Sequence, residues 1–208
     1  MEVRNRFLPD RFTPSSVISL VFHPLLTPAP AGVLILWLDG LQLESAVRWI
    51  SLCAFVVVFP LGLYIAVMKV RWGQETSIRE NRHQLYVIGI GLTILLVIIL
   101  ELFQGPKLLK ASIYSGAVSG IIGSLTNVLN KVSLHVGVST GISVVLFNVS
   151  PAIGVSGGIL TVLIGLARYR MGHHTTKQIL IAILIPSVGV LSVFVAMRIP
   201  IFDVSQTG

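Results

Sequence analysis

The segment Ala167–Gln178, "ARYRMGHHTTKQ", holds residue types that suit phosphoryl chemistry. Arg168 precedes His174 by six residues, and Gln178 follows His174 by four. If a helix begins near His174, the side chains of His174 and Gln178 share one face of it. The Gln178 side-chain carbonyl can then accept a hydrogen bond from the imidazole Nδ1–H of His174. That bond fixes a tautomer whose Nε2 lone pair is nucleophilic. Arg168 offers a planar fork that suits phosphate. The alternative is a solvated loop without function.

A second polar segment, "NKVSLH", ends at His135 and contains Lys131 and Ser133. Phosphoryl transfer needs donors around three oxygens and an acid for the leaving group. Lys131 and Ser133 meet the first need, and His135 meets the second. The alternative for Lys131 and His135 is snorkelling at the membrane interface.

A third cluster, "SIRENRHQ", places Arg79 and Arg82 three residues apart just before an apolar run. On one helical turn their guanidinium groups can point the same way and bind a phosphate. The alternative is charge that only sets membrane topology.

The composition indicates that these clusters belong to a membrane protein. Of the 208 residues, 54% are hydrophobic and only 11% are charged, against about 25% charged in soluble domains. No domain linker is evident, so residues 1–208 are interpreted as one domain. The net charge of +7 does not form a basic stripe on a soluble segment, which disfavours nucleic-acid binding. The residue spacing predicts no metal site and no cofactor.

Apolar runs of about 20 residues predict an all-α, polytopic transmembrane bundle of about seven spans. The predicted spans are 16–38, 46–68, 85–103, 108–129, 136–149, 152–166 and 179–197. Prolines 24, 28 and 30 predict that the first span is kinked or irregular near its outer half, and six crossings result if that segment lies along the interface. The fourth to sixth spans are rich in Gly, Ser and Thr, which predicts that they form the tightly packed centre.

Alternating crossings place all three polar clusters on one side of the membrane, where they can converge. Most Lys and Arg residues also fall on that side. The positive-inside rule therefore predicts that the candidate site faces the cytoplasm, most simply at the cell membrane. The amino-terminal segment is too polar for too long to be a signal peptide, so the first apolar segment is expected to be retained. The sequence does not indicate an oligomeric state.

The segment Ala167–Gln178 resembles a signature motif of the type 2 phosphatidic acid phosphatase superfamily. That superfamily reads S-R-x5-H-x3-D, and here Arg168, His174 and Gln178 occupy the last three defined positions. The following Ile179–Ala182 resembles the usual continuation into the last helix. A similar H-T-x2-Q element occurs in eukaryotic dolichyl diphosphate phosphatases.

The two other superfamily motifs, P-S-G-H and K-x6-R-P, are matched less fully. Ser133 and His135 fit the first of these without its Pro or Gly, and Arg79 and Arg82 stand in the place of the second. The chain looks closest to a divergent branch with an R-x2-R loop, a K-x-S-x-H element that starts here at Lys131, and a G-x-H-T-x2-Q element. The resemblance covers about residues 69–185.

The resemblance implies a PAP2-like helical core and a metal-independent lipid phosphatase. His174 would attack phosphorus, and His135 would protonate the leaving oxygen. The residues that would hold the phosphoryl oxygens are Arg168, Arg82, Arg79, Lys131 and Ser133. The substrate would be a lipid phosphate or a polyprenyl diphosphate in the bilayer.

Two departures from the superfamily pattern keep other functions open. Gln178 is neutral where the superfamily has Asp, and Ala167 replaces a Ser. A neutral partner stabilises an imidazolium less well than a carboxylate does, so the enzyme is expected to be slow or to favour a good leaving group. The alternatives are a non-catalytic protein that binds anionic lipid head groups and a small transporter, although no duplicated pair of broken helices supports the latter.

Overall fold

The computed structural model describes residues 13–72 and 79–200, with only the backbone described at residues 16, 71, 72 and 79–83. Within these ranges the chain is helical and contains no strand. The helices, in chain order, are α1 (Pro14–Val21), α2 (Pro28–Leu38), α3 (Leu43–Cys53), α4 (Phe59–Trp72), α5 (Arg79–Leu102), α6 (Lys107–Leu129), α7 (Leu134–Val149), α8 (Pro151–Arg170) and α9 (Thr176–Ala196).

Five helical stretches in the described ranges are long and apolar enough to cross a membrane, so this is a multi-pass membrane protein. They are Leu43–Val70, Gln84–Leu102, Lys107–Leu129, Pro151–Arg170 and Thr176–Ala196. Helices α2 and α7 are apolar but shorter, with 11 and 16 residues. Compared with the seven predicted spans, the first is divided into α1 and α2, and the fifth is short.

The first predicted span is irregular, as its prolines indicated, and the break lies at residues 22–27, in the half nearer the start of the span. Helix α1 ends at Val21, and α2 begins at Pro28. Pro28 and Pro30 occupy the first turn of α2, where a missing N–H leaves no intrahelical bond unmade. Residues 22–27 between the helices form turns, and the Thr27 hydroxyl donates to the His23 carbonyl at 2.9 Å. The backbone of His23 is therefore held between two separate helices.

The longest crossing changes its helical geometry in the middle. A one-turn π-helical segment, Ala54–Val58, joins α3 to α4. Pro60 follows two residues later and cannot donate a backbone hydrogen bond. Wider turns of this kind are a recognised way in which a long helix accommodates such an interruption.

Helix α9 occupies the position between α6 and α7. Helix α7 makes its most extensive contact with α8, to which Ser150 joins it, whereas α6 packs against α5 and α9. Of the three spans predicted to form the tightly packed centre, the fifth and sixth (α7 and α8) therefore pack against each other, and the fourth (α6) packs against α5 and α9. The small residues of α6 face α9: a Cβ built on Gly189 would collide with the Ser119 hydroxyl and lie 3.4 Å from the Ser115 carbonyl oxygen.

Small residues also bring α7 close to its two neighbours. Cβ atoms built on Gly137 and Gly141 would each lie 3.7 Å from α9, from the Ala182 carbonyl oxygen and the Pro186 ring respectively. On the other side of α7, a Cβ built on Gly154 of α8 would collide with the backbone of Phe147. Close approach of helices through small residues is the main source of helix association in lipid.

An apolar cluster at one end of this packing supports the candidate site. Val132, Val136, Ile164 and Ala182 are its buried members, and Ile18 and Phe22 from the α1 region pack against them. Helix α1 lies against α8. The first residues of α7, the last turns of α8 and the first turns of α9 are therefore at one end of the bundle.

Replacing Gly154 with Ala is expected to destabilise the α7–α8 hairpin. The added methyl group collides with the Phe147 backbone, and overpacking of this kind typically costs about 1–3 kcal/mol. Thermal unfolding of the detergent-purified protein measures the effect. Gly158→Ala is the matched control in the same helix, because a Cβ there meets nothing within 4 Å. Equal unfolding temperatures for the two variants would contradict the packing described here.

Candidate active site

Two interlocking helix caps form the connection between α8 and α9. At the end of α8, the Gly172 N–H donates to the Tyr169 carbonyl and the His173 N–H donates to the Arg168 carbonyl, at 2.9 and 3.1 Å. This is the Schellman pattern, and it needs the positive φ of Gly172, which is 68°. The backbone at Arg168 is thereby bonded directly to that of the residue before His174.

The second cap begins immediately after His174. Thr175 is the N-cap residue of α9, and its hydroxyl accepts the Gln178 backbone N–H at 3.4 Å. The Gln178 side-chain carbonyl accepts the Thr175 N–H at 3.2 Å. These two bonds form a capping box. The helix thus begins after His174, at Thr176, and the predicted start near His174 was close to the observed one.

The predicted contact between His174 and Gln178 is present, with 3.2 Å between Nδ1 and Oε1. The Thr175 N–H can only donate, so the Gln178 atom that it contacts must be the carbonyl oxygen. An oxygen in turn requires a donor from the imidazole, which places a proton on Nδ1 of His174. A neutral imidazole then has its lone pair on Nε2. His174 is 5% exposed, so the ring is held inside the protein.

His135 joins the same cluster through helix α1. One of its ring nitrogens donates to the backbone carbonyl of Ser19. Ser19 lies in the last turn of α1, where carbonyls lack intrahelical partners. The positive charge of Arg168 acts on His135, and His135 and His174 also interact electrostatically. Arg168, His135 and His174 are therefore close enough to interact electrostatically.

Ser133 occupies the N-cap position of α7 without capping it. The residue is completely buried, and within the described part of the chain its hydroxyl makes no hydrogen bond. A buried unpartnered hydroxyl is unfavourable by about 1–3 kcal/mol. Its place at a helix N-terminus, two residues from His135, is one where an anion would be attracted by the helix dipole and backbone N–H groups.

The remaining predicted site residues are Lys131, Arg79 and Arg82. Lys131 is half-buried in the segment between α6 and α7, two residues before Ser133. The Arg79 and Arg82 backbones belong to the first turn of α5, whereas their side chains lie outside the described part of the structure. In residues 13–72 and 79–200, no three His, Cys, Asp or Glu side chains cluster in a way that could hold a metal ion.

His23 is a member of the cluster that sequence reasoning missed. Its ring meets that of His135 edge to face, with centroids 5.5 Å apart. The Leu25 N–H donates to its Nδ1 at 3.3 Å, so the proton of the neutral ring is on Nε2. Burial, and then the positive charge of Arg168, lower the pKa of His23. The available signal was an ionisable residue inside an apolar segment, next to its proline-rich break.

Comparison with protein-family models, with curated protein sequences and with solved structures finds no match for this chain.

Replacing Ser133 with Ala is expected to stabilise the ligand-free protein and to weaken anion binding. Removing an unpartnered buried hydroxyl should raise the free energy of unfolding by about 1 kcal/mol. Thermal unfolding in detergent, with and without inorganic phosphate, measures both effects. Phosphate should stabilise the Ser133→Ala variant less than it stabilises the parent protein.

Ser139→Ala is the control for this experiment. The Ser139 hydroxyl lies 2.7 Å from the Thr161 hydroxyl between α7 and α8, so its removal should lower the stability. If the Ser133→Ala variant also unfolds at a lower temperature than the parent protein without phosphate, the Ser133 hydroxyl forms a stabilising hydrogen bond within the protein. It would then not be available to bind a ligand.

Proposed function

We propose that this protein is an integral membrane phosphatase that hydrolyses a lipid phosphate or polyprenyl diphosphate through a phosphohistidine intermediate. We base this on one observation above all: a buried His174, with Nδ1 bonded to Gln178, lies in one cluster with Arg168 and His135. The order of these residues, R-x5-H-x3-Q after an S-x-H, is also the order of the motifs of the type 2 phosphatidic acid phosphatase superfamily.

In the proposed first step, Nε2 of His174 attacks phosphorus. A nitrogen–phosphorus bond forms, the bond from phosphorus to the leaving oxygen breaks, and its electron pair goes to that oxygen. His135, which becomes protonated once the anionic substrate lies beside it, gives its proton to the leaving oxygen. Arg168 stabilises the charge on the phosphoryl oxygens, with the Ser133 hydroxyl and Lys131 as further donors and Arg79 and Arg82 as candidates from α5.

In the second step, a water molecule attacks the phosphohistidine. His135, now neutral, accepts a proton from the water as the new oxygen–phosphorus bond forms and the nitrogen–phosphorus bond breaks. The products are inorganic phosphate and the original form of His174. Gln178 holds Nδ1 throughout, so Nε2 remains the reacting nitrogen.

The proposed location is the cytoplasmic face of the cell membrane. Arg168 and Arg170 end α8, and Lys177 stands in the first turn of α9, so positive charge accumulates at the end of the bundle that carries the site. The positive-inside rule associates such an end with the cytoplasm.

One observation favours a second function, the non-catalytic binding of an anionic lipid head group. The capping box gives Gln178 a structural role that is independent of catalysis. In that case the cluster would bind a phosphate group without a transfer step. The two functions differ in what a His174 substitution removes.

His174→Ala is expected to abolish phosphate release while it preserves lipid binding. The assay uses the detergent-purified protein with phosphatidate, phosphatidylglycerol phosphate, undecaprenyl phosphate and undecaprenyl diphosphate, with and without EDTA. Since His174 is the proposed nucleophile, its loss should lower the rate by about four orders of magnitude or more. His173→Ala is the matched control, because His173 is exposed beside it.

Release of phosphate that persists in EDTA and disappears only in His174→Ala supports the phosphatase. Binding of these lipids with no phosphate release from any of them supports the non-catalytic function. Release that is equal in His174→Ala and the parent protein would overturn the assignment of the nucleophile.

Gln178→Glu is expected to raise the rate of phosphate release by about tenfold or more. Glutamate retains the capping box, and its charge stabilises the positively charged histidine better than an amide does. Initial rates under saturating substrate measure the change. Thr176→Glu adds the same charge at an exposed position in the first turn of α9 and should have a much smaller effect. A lower rate in Gln178→Glu would show that the neutral amide is required.

A further inference from the structure

A large cavity lies among the described helices, and Ser133 is one of its lining residues. Its volume is about 440 Å³, in the range of small-molecule binding sites. The walls are mainly apolar and come from α2, α3, α4, α5, α6, α7 and α9. Several lining hydroxyls are already bonded within their own helices, as with Thr93 to Gly89 and Ser115 to Ala111.

The cavity extends away from the candidate active site along two helices. On α7 it is lined by Ser133, Gly137, Gly141 and Val145, at intervals of four residues. These positions follow one helix face over about 18 Å. On α9 its lining begins at Ala182, one turn after Gln178. One end therefore lies beside an unpartnered hydroxyl and the phosphate-binding cluster, and the rest is apolar.

This arrangement suits an amphiphile with one anionic end and one hydrocarbon chain. A methylene group is similar in size to a water molecule, whose share of liquid volume is about 30 Å³, so the cavity accommodates about 15 such groups. That is one chain rather than the two chains of a glycerophospholipid. Apart from the Ser133 hydroxyl at one end, the walls are mainly apolar and favour hydrocarbon over a polar ligand.

We propose that this cavity binds the hydrocarbon chain of a single-chain lipid phosphate, such as an alkyl or isoprenoid phosphate, and thereby selects it over two-chain phospholipids. The proposal rests on the proposed function for the position of the head group. It assigns the chain to the interior of the bundle instead of the surrounding bilayer.

Gly116 offers a way to fill the cavity without disturbing the helix. It lines the cavity on α6, and a Cβ built on it meets nothing within 4 Å. A phenylalanine at this position projects into open space. Gly158 of α8 is the matched control, because its Cβ also meets nothing within 4 Å and it does not line the cavity.

The experiment measures binding in the His174→Ala background, so that hydrolysis cannot affect it. The probes are butyl, decyl, hexadecyl and geranylgeranyl phosphate, with dioleoyl phosphatidate as the two-chain lipid. Affinity is expected to rise with chain length up to about 15 carbons and to be at least tenfold lower for phosphatidate. Gly116→Phe should weaken hexadecyl phosphate binding by at least tenfold, and Gly158→Phe should not.

A photoreactive probe keeps the proposal testable if Gly116→Phe does not fold. Hexadecyl phosphate with a diazirine at the chain end is crosslinked to the His174→Ala protein, and the adducts are mapped by mass spectrometry. Adducts on cavity residues such as Ile113, Val145 and Val190 are expected. Adducts confined to exposed residues such as Leu125 and Leu180 would overturn the proposal, as would equal affinity for phosphatidate.

The outcomes separate this proposal from the proposed function. Chain-length-dependent binding that Gly116→Phe removes, without phosphate release by the wild-type protein, upholds the cavity and rejects the phosphatase. Hydrolysis that depends on His174, with hexadecyl phosphate binding unchanged by Gly116→Phe, upholds the phosphatase and rejects the cavity as the chain site.

Discussion

The hydrogen bonds that cap α8 and α9 determine the geometry on which the candidate site depends. The Schellman bonds tie the backbone of Arg168 to that of His173, and the capping box begins at Thr175. His174 is the residue between the two caps, so it has little backbone freedom relative to Arg168. In a flexible loop of the same length, Arg168 and His174 would lose conformational entropy each time a ligand binds. Here that entropy is already lost on folding, so ligand binding is less unfavourable.

One oxygen atom of Gln178 accepts hydrogen bonds both from the N-cap residue of α9 and from the imidazole of His174. Its Oε1 accepts from the Thr175 N–H and faces Nδ1 of His174, each at 3.2 Å. A carboxylate here would hold the imidazole equally well and would stabilise its charged form better. It would also add a negative charge to the cluster, which would oppose the binding of an anionic ligand. The neutral amide therefore orients the histidine while leaving the positive charge of Arg168 to the ligand.

Local sequence signals predicted the parts of the structure that depend on near neighbours. The ends of α6 to α9 lie within four residues of those predicted from apolar length. The break near Pro24 and Pro28 follows from proline, and the contact of His174 with Gln178 follows from a spacing of four. The contacts that could not be predicted depend on packing between helices that are distant in the sequence. His135 bonds to the Ser19 carbonyl because α1 lies against α8, and no local pattern indicates that contact. The insertion of α9 between α6 and α7 likewise depends on which small residues meet across helices.

The unequal lengths of α7 and α8 place the cluster below the end of the bundle. The two helices share the corner at Ser150 and pack along each other, but α7 has 16 residues and α8 has 20. A difference of four residues is about 6 Å, so Ser133 and His135 lie about one turn deeper than Arg170. At that depth electrostatic interactions are stronger than at the surface, and polar groups must find partners within the protein. His135 finds one in Ser19, whereas the Ser133 hydroxyl has none among the residues that the structure describes. Because α7 is short, the residues of the site lie at a depth where electrostatic interactions between them are strong. The Ser133 hydroxyl lies at the same depth, beside an apolar cavity, and can form a hydrogen bond to a ligand.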